Sequence, residues 1–107
     1  MKLLTKEVIA KLRKAPIGTY DGKGKDAPLA VKFFNPCGAG TWLITEGEEQ
    51  PNGDWLLYGY CCIADWEWGY VTLSELENYR SPWGLGIERD RYAKGTVEDN
   101  IPKWQAA

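Results

Sequence analysis

The N-terminal segment carries apolar side chains at the spacing of a helix, at Val8, Ile9 and Leu12. Thr5 precedes them as a candidate N-cap, and Glu7 lies in the first turn, where the helix dipole favours a negative charge. Pro16 ends the pattern, because the residue before a proline is disfavoured in the helical conformation. The sequence therefore predicts a helix over about Lys6–Lys14.

From Leu29 the pattern changes to runs rich in aromatic and β-branched residues, as is typical of strands. Turn-rich segments separate four such runs: LAVKFF, TWLITE, DWLLYGYCCI and WGYVT. Short connections favour antiparallel neighbours, so we expect a meander of about four strands. By alternation Trp42 shares a face with Ile44 and Glu46, and the third run, apolar on both faces, is predicted to be the central strand.

A short second helix is predicted over LSELENYR, because Thr72 and Glu75 have the spacing of a capping box and Pro82 stops the run. Residues 87–92 suit a further strand or an extended arm, and residues 94–107 lack any periodic pattern, as an irregular tail would. The fold class is therefore α+β: an N-terminal helix and a short second helix packed on an antiparallel sheet of about four strands. A chain of 107 residues is expected to form a single domain over residues 1–107.

No apolar run approaches the roughly 18 residues that a membrane helix needs, and charged residues interrupt the N-terminal segment, unlike a signal peptide. We therefore expect a cytoplasmic protein with no membrane partner. The cysteines, Cys37, Cys61 and Cys62, are odd in number and two of them are neighbours, which disfavours a disulfide framework. We expect reduced, buried thiols, no bound metal and no cofactor.

The chain contains no histidine, the usual base of Ser-His-Asp and Cys-His catalysis. A Lys or carboxylate base stays formally open, but the sequence holds no recognisable catalytic motif and predicts a protein without enzymatic activity. Paired carboxylates such as Asp65 with Glu67 resemble the pairs of acidic residues that act in glycoside hydrolysis or bind magnesium. Their spacing alone is weak evidence, and for Glu88 and Asp90, which alternate with Arg89 and Arg91, a local salt-bridge ladder is the better explanation.

Charge is distributed unevenly along the chain. Residues 1–26 have a balance of +4 and the remainder −6. No basic side chain occurs between Lys32 and Arg80, a stretch that holds Glu46, Glu48, Glu49, Asp54, Asp65, Glu67, Glu75 and Glu77. Such asymmetry bears on partners and association rates rather than on the fold.

Six tryptophans are more than a core of this size needs, and Trp and Tyr often dominate binding interfaces. Trp66 and Trp68 fall in the acidic segment ADWEW, which we interpret as a turn with at least one exposed indole. The alternative is that the tryptophans only cap the ends of a small core.

Five segments together resemble a bacterial and phage family, the domain of unknown function 2958: MKLLTKE, VKFFNP, TW followed by TEG, WGYVTLSELE and PWGLGIERDRY. The resemblance implies a small protein carried largely by plasmids, phages and other mobile elements, with no established activity. Arg89 lies in its most specific block, and arginine can hold a carboxylate in a bidentate fork.

The leading hypothesis is a non-enzymatic protein-binding module of a mobile genetic element. Its partner would be a host defence complex, as for an anti-CRISPR or anti-restriction inhibitor, or another nucleic-acid-handling complex. The expected partner-binding residues form an acidic and aromatic surface: Glu46, Glu48, Glu49, Asp54, Asp65, Trp66, Glu67, Trp68 and Arg89. The alternative is direct binding of single-stranded nucleic acid through the basic N-terminal segment, with aromatic stacking on bases.

Overall fold

Residues 3–102 are described by a computed structural model. Over this range the chain forms two α-helices, α1 (Lys6–Arg13) and α2 (Leu73–Asn78). The strands are β1 (Val31–Phe34), β2 (Thr41–Glu49), β3 (Trp55–Cys62), β4 (Trp66–Thr72) and β5 (Glu88–Arg89). Neither helix is long and apolar enough to cross a membrane.

Both helices begin at the caps that the sequence predicts. The Thr5 hydroxyl accepts a hydrogen bond from the Val8 N–H (3.2 Å) at the start of α1. At the start of α2, Thr72 and Glu75 form the reciprocal capping box, each side chain bonded to the other residue's backbone N–H. The first helix is confirmed within one residue, whereas the second ends at Asn78, two residues before the predicted Arg80.

The strands form one antiparallel sheet in the order β4-β3-β2-β1-β5. The α+β class and the four-stranded meander are confirmed, and the two-residue β5 adds a fifth strand beside β1. The middle strand is β2 rather than β3, although β3 is internal, as its two apolar faces require. The break before β4 covers only residues 63–65, so Trp66 belongs to the strand and not to a turn.

Each face of the sheet buries its own apolar cluster. The helix face packs α1 and α2 on the strands through Leu3, Leu4, Val8, Leu12, Val31, Phe33, Trp42, Ile44, Trp55, Leu57, Leu76 and Ile87. The opposite face holds a smaller cluster of Leu29, Leu43, Val97 and Ile101. Within residues 94–102, one 3-10 turn and backbone bonds to residues 27 and 29 hold the chain on this second face. The rest of the expected tail, residues 103–107 with Trp104, lies outside the described range.

A β-bulge in β2 shifts the register with β3 between Ile44 and Glu46. Trp42 and Ile44 lie on the helix face, but Glu46 pairs with Tyr58 and lies on the opposite face. The expectation that Glu46 shares a face with Ile44 is therefore wrong, because the extra residue, Thr45, reverses the alternation.

Close approach of the backbones next to this bulge leaves no room for a side chain on Gly59. A Cβ there would collide with the Leu43 carbonyl oxygen and lie 2.8 Å from the Ile44 Cα. Gly69, its partner on β4, offers a contrast, since a Cβ at that position meets nothing within 4 Å.

Gly59→Ala is expected to lower the free energy of unfolding by about 3 kcal/mol or more, because neither neighbouring backbone can yield without distorting the sheet. Gly69→Ala is the matched control and should change it by no more than about 1 kcal/mol, because the new methyl group enters open space. Urea unfolding followed by tryptophan fluorescence measures both. Equal effects of the two substitutions would contradict the close approach at Gly59.

Candidate functional site

Five aromatic side chains lie side by side on the sheet face opposite the helices. Because every second residue of a strand points to the same face, β3 contributes Tyr58 and Tyr60 and β4 contributes Trp66, Trp68 and Tyr70. The register places Tyr58 opposite Tyr70 and Tyr60 opposite Trp68, so the rings of the two strands lie side by side. We call these five residues the aromatic ladder.

Neighbouring rings in the aromatic ladder are in contact along its whole length. Tyr60 and Trp66 stack with centroids 5.1 Å apart, and Tyr58 and Trp68 stack at 5.8 Å. Tyr58 with Tyr70 and Tyr60 with Trp68 are tilted pairs, both at 4.9 Å. Each such pair contributes about 0.5–1.5 kcal/mol beyond its buried area, so the rings hold one another in fixed orientations.

Exposure varies along the aromatic ladder. Trp66, at the inner end, packs against the Val97 cluster and is half-buried. Trp68 is 36% exposed and Tyr70 is 60% exposed, so the outer end of the ladder lies open to solvent. Exposed neighbouring aromatic residues on a rigid sheet are typical of a binding surface.

The loop of residues 15–27 forms one wall beside the aromatic ladder. The buried Glu46 carboxylate holds this loop by accepting the N–H groups of Gly18 (2.8 Å) and Tyr20 (2.9 Å). Further along, the Lys25 ammonium lies 5.4 Å from the centre of the Tyr60 ring, within the range of a cation–π contact. A cleft of about 310 Å³ remains between this loop and the rings of Tyr58 and Trp68.

The Tyr58 hydroxyl stays a hydrogen-bond donor at neutral pH. Burial, followed by the nearby Tyr70, Glu46 and Asp21, raises its pKa above the ordinary value for tyrosine. Tyr58 therefore contributes a neutral phenol to the lining of the cleft.

Most of the acidic residues expected to bind a partner do not lie on this surface. Glu46 is buried and its carboxylate holds the loop, so it is not available to a partner, contrary to the prediction that it binds one. Glu48 and Glu49 are exposed at the β2–β3 turn, where Glu49 forms an ion pair with Arg13 (3.3 Å). Asp54 holds the start of α2 by accepting the Ser74 hydroxyl (2.6 Å), which lowers the Asp54 pKa.

The remaining expected residues lie at different turns, faces and edges of the sheet. Asp65 is exposed at the β3–β4 turn, at the other end of β3 from Asp54 and about 25 Å away for a strand of this length. Glu67 points to the helix face, because it alternates with Trp66 and Trp68. Arg89 lies in β5, at the far edge of the sheet. Of the predicted set, only Trp66 and Trp68 belong to the aromatic ladder.

Sequence reasoning missed Tyr58, Tyr60 and Tyr70. Their alternation within DWLLYGYCCI and WGYVT is visible in the sequence, and it shows that each strand presents aromatic residues on one face. The register between the two strands, which brings both sets of rings together, cannot be read from the sequence.

The basic N-terminal segment is divided between the two faces. Lys11, Arg13 and Lys14 belong to α1 or its C-cap, on the helix face, whereas Lys23 and Lys25 belong to the loop beside the aromatic ladder. A single basic surface continuous with the rings is therefore not formed by these residues.

The three cysteines form no disulfide, but Cys37 is exposed and the other two are half-buried, so the expectation of buried thiols is wrong for Cys37. Burial, with a smaller effect from the Glu67 charge, raises the pKa of Cys61 to about 12. This thiol is therefore protonated at neutral pH and a poor nucleophile. Residues 3–102 contain no group of three or more His, Cys, Asp or Glu side chains that could hold a metal ion.

Comparison with known proteins confirms the resemblance found in the sequence. A family model described as "Protein of unknown function (DUF2958)" matches residues 3–106. No curated protein and no solved structure matches the chain.

Glu46→Ala is expected to lower the free energy of unfolding by about 2 kcal/mol, because two backbone N–H groups lose their acceptor. Hydrogen exchange at Gly18 and Tyr20 should accelerate in the same variant. Glu48→Ala, two residues away and exposed, should stay within about 0.5 kcal/mol of the wild type. Unchanged exchange at Gly18 in Glu46→Ala would show that the carboxylate does not hold the loop.

Iodoacetamide added to the folded protein near neutral pH is expected to modify Cys37 well before Cys61, because the alkylated species is the thiolate and the Cys61 thiol is protonated. Peptide mass spectrometry over time measures both rates. The denatured protein is the control, in which the difference should disappear. Equal rates in the folded state would contradict the burial of Cys61.

Proposed function

The chain belongs to the DUF2958 family, and we propose that it is a non-enzymatic protein-binding module that contacts its partner through the aromatic ladder. The observation that carries this proposal is the open row of stacked rings on β3 and β4, ending in the exposed Trp68 and Tyr70. Aromatic residues of this kind supply most of the binding energy in many protein interfaces.

Stacking within the aromatic ladder supports a protein partner. The rings already restrain one another, so little side-chain entropy remains to be lost on binding. Tyr and Trp also combine an apolar ring with a polar tip, which suits a surface that is solvent-exposed in the free protein and desolvated in the complex.

The alternative partner, single-stranded nucleic acid, has less support. Bases stack on free ring faces, whereas much of the ring area in the ladder is used by stacking within it and by Lys25 on Tyr60. Phosphates also need a cationic track, and Lys11, Arg13 and Lys14 lie on the other side of the sheet.

The family context that the sequence resemblance implies supports a partner in the host cell. The chain would act in the host cytoplasm as a product of a phage, plasmid or other mobile element. There it would inhibit or modulate a host defence complex, of the kind that anti-CRISPR or anti-restriction proteins act on, or another nucleic-acid-handling complex.

Trp68→Ala and Tyr70→Ala are expected to weaken partner binding about 30-fold or more, because a central aromatic contact is worth about 2 kcal/mol. Trp83→Ala and Tyr92→Ala are matched controls, since both residues are more than 80% exposed and lie outside the ladder. Each variant is tagged and expressed in the native host, and quantitative mass spectrometry measures the amounts of the proteins that each one captures.

Capture of the same proteins in the same amounts by the ladder variants would overturn the proposal, provided their unfolding midpoints match the wild type. A labelled single-stranded oligonucleotide is tested in parallel, with nuclease-treated lysate. Oligonucleotide binding that is lost in Trp68→Ala, together with no ladder-dependent protein, would establish the alternative instead.

A further inference from the structure

We infer that the partner of this surface contributes an extended, basic strand that adds to the outer edge of β4. This inference rests on the proposed function, since it specifies how a protein would dock beside the aromatic ladder. β4 carries part of the aromatic ladder and is at the same time an edge strand of the sheet.

The outer edge of β4 is unpaired among residues 3–102, where β3 is its one neighbour. The Thr72 N–H donates to the Glu75 carboxylate (3.0 Å), so it points away from β3. In an antiparallel strand the backbone groups of every second residue point to the same side. The N–H groups of Trp68 and Tyr70 therefore also point outward, where a further strand could accept them.

Side chains of an added strand would find a receptive surface on both faces of the sheet. On one face they would meet the exposed rings of Trp68 and Tyr70. On the other face a groove of about 620 Å³ lies between β4 and α2, with Ile63 and Tyr79 among its apolar walls. Gly69 adds no side chain to the groove, so its floor stays open.

The negative charges beside the outer edge of β4 favour a basic strand there. Glu67 and Glu75 line the groove, and Asp65 immediately precedes β4. The ion pairs among residues 3–102 are Arg13–Glu49 and Lys32–Asp90, so none neutralises these three carboxylates. Lys or Arg side chains of an incoming strand would pair with them, whereas a second copy of β4 would bring further acids to the same edge.

The test uses a synthetic peptide as long as β4 that alternates lysine with valine and has blocked termini. On addition of the peptide, hydrogen exchange of the Trp68 and Tyr70 amides, followed by NMR, is expected to slow about tenfold or more. Gly69 and Val71, whose N–H groups point towards β3, should change little. Glu67→Lys should lower the affinity for the peptide about tenfold. Glu48→Lys makes the same charge change at the other end of the sheet and should leave the affinity unchanged.

Gly69→Leu would fill the groove and should lower the affinity for the peptide without any change of charge. No binding, or binding without protection of the Trp68 and Tyr70 amides, would overturn strand addition. Equal affinity for a peptide with glutamate in place of lysine would overturn the basic character. A dimer of the free protein with both amides already protected would make a second copy the occupant.

Failure of this inference is distinguishable from failure of the proposed function. If Trp68→Ala loses the captured partner while the Trp68 and Tyr70 amides remain unprotected in the wild-type complex, the ladder binds a protein but strand addition is wrong. If the ladder variants keep the partner, the proposed function itself is wrong, whatever the peptide does.

Discussion

The β-bulge at Thr45 is the constraint on which the ladder face depends. Without the extra residue, Glu46 would follow Ile44 onto the helix face, where its carboxylate would be buried against the apolar core at a high desolvation cost. The bulge turns Glu46 to the other face, where it fixes the loop of residues 15–27 as a wall beside the rings. Next to the bulge, β2 and β3 approach so closely that only glycine fits at position 59. One extra residue in β2 thus shapes both the wall of the candidate site and the packing beneath it.

The two faces of the sheet are covered to different extents, and this difference leaves the aromatic ladder open. Both helices cover one face through a large apolar cluster. The other face is covered over Leu29 and Leu43 by the chain around Val97 and Ile101, and over Glu46 by the loop of residues 15–27. That cover reaches Trp66 but leaves Trp68 and Tyr70 accessible. Exposed aromatic area of this kind is costly for solubility, which supports the proposal that the ladder binds a partner.

Charge and aromatic surface act at different places in this protein. The acids between residues 46 and 77 are divided among a buried loop anchor, a helix cap, the two ends of β3 and the groove beside α2. They do not form one acidic patch. Glu67 and Glu75 in the groove would pair directly with a basic strand, whereas the acids far from β4 would attract it only through their long-range field. The rings, with their fixed geometry, would provide the short-range contacts.

The sequence by itself determined the elements whose causes are local. The Thr5 cap, the capping box from Thr72 to Glu75 and the four strand segments depend on neighbouring residues, and each is present close to where it was predicted. The sequence also pointed to Trp66 and Trp68, although as members of a turn. Only the tertiary structure decided the bulge at Thr45, the pairing of β5 with β1 and the register that joins the two aromatic strands. These features depend on contacts between residues distant in the chain, and a shift of one residue in register exchanges the two faces of a strand, which no local pattern can reveal.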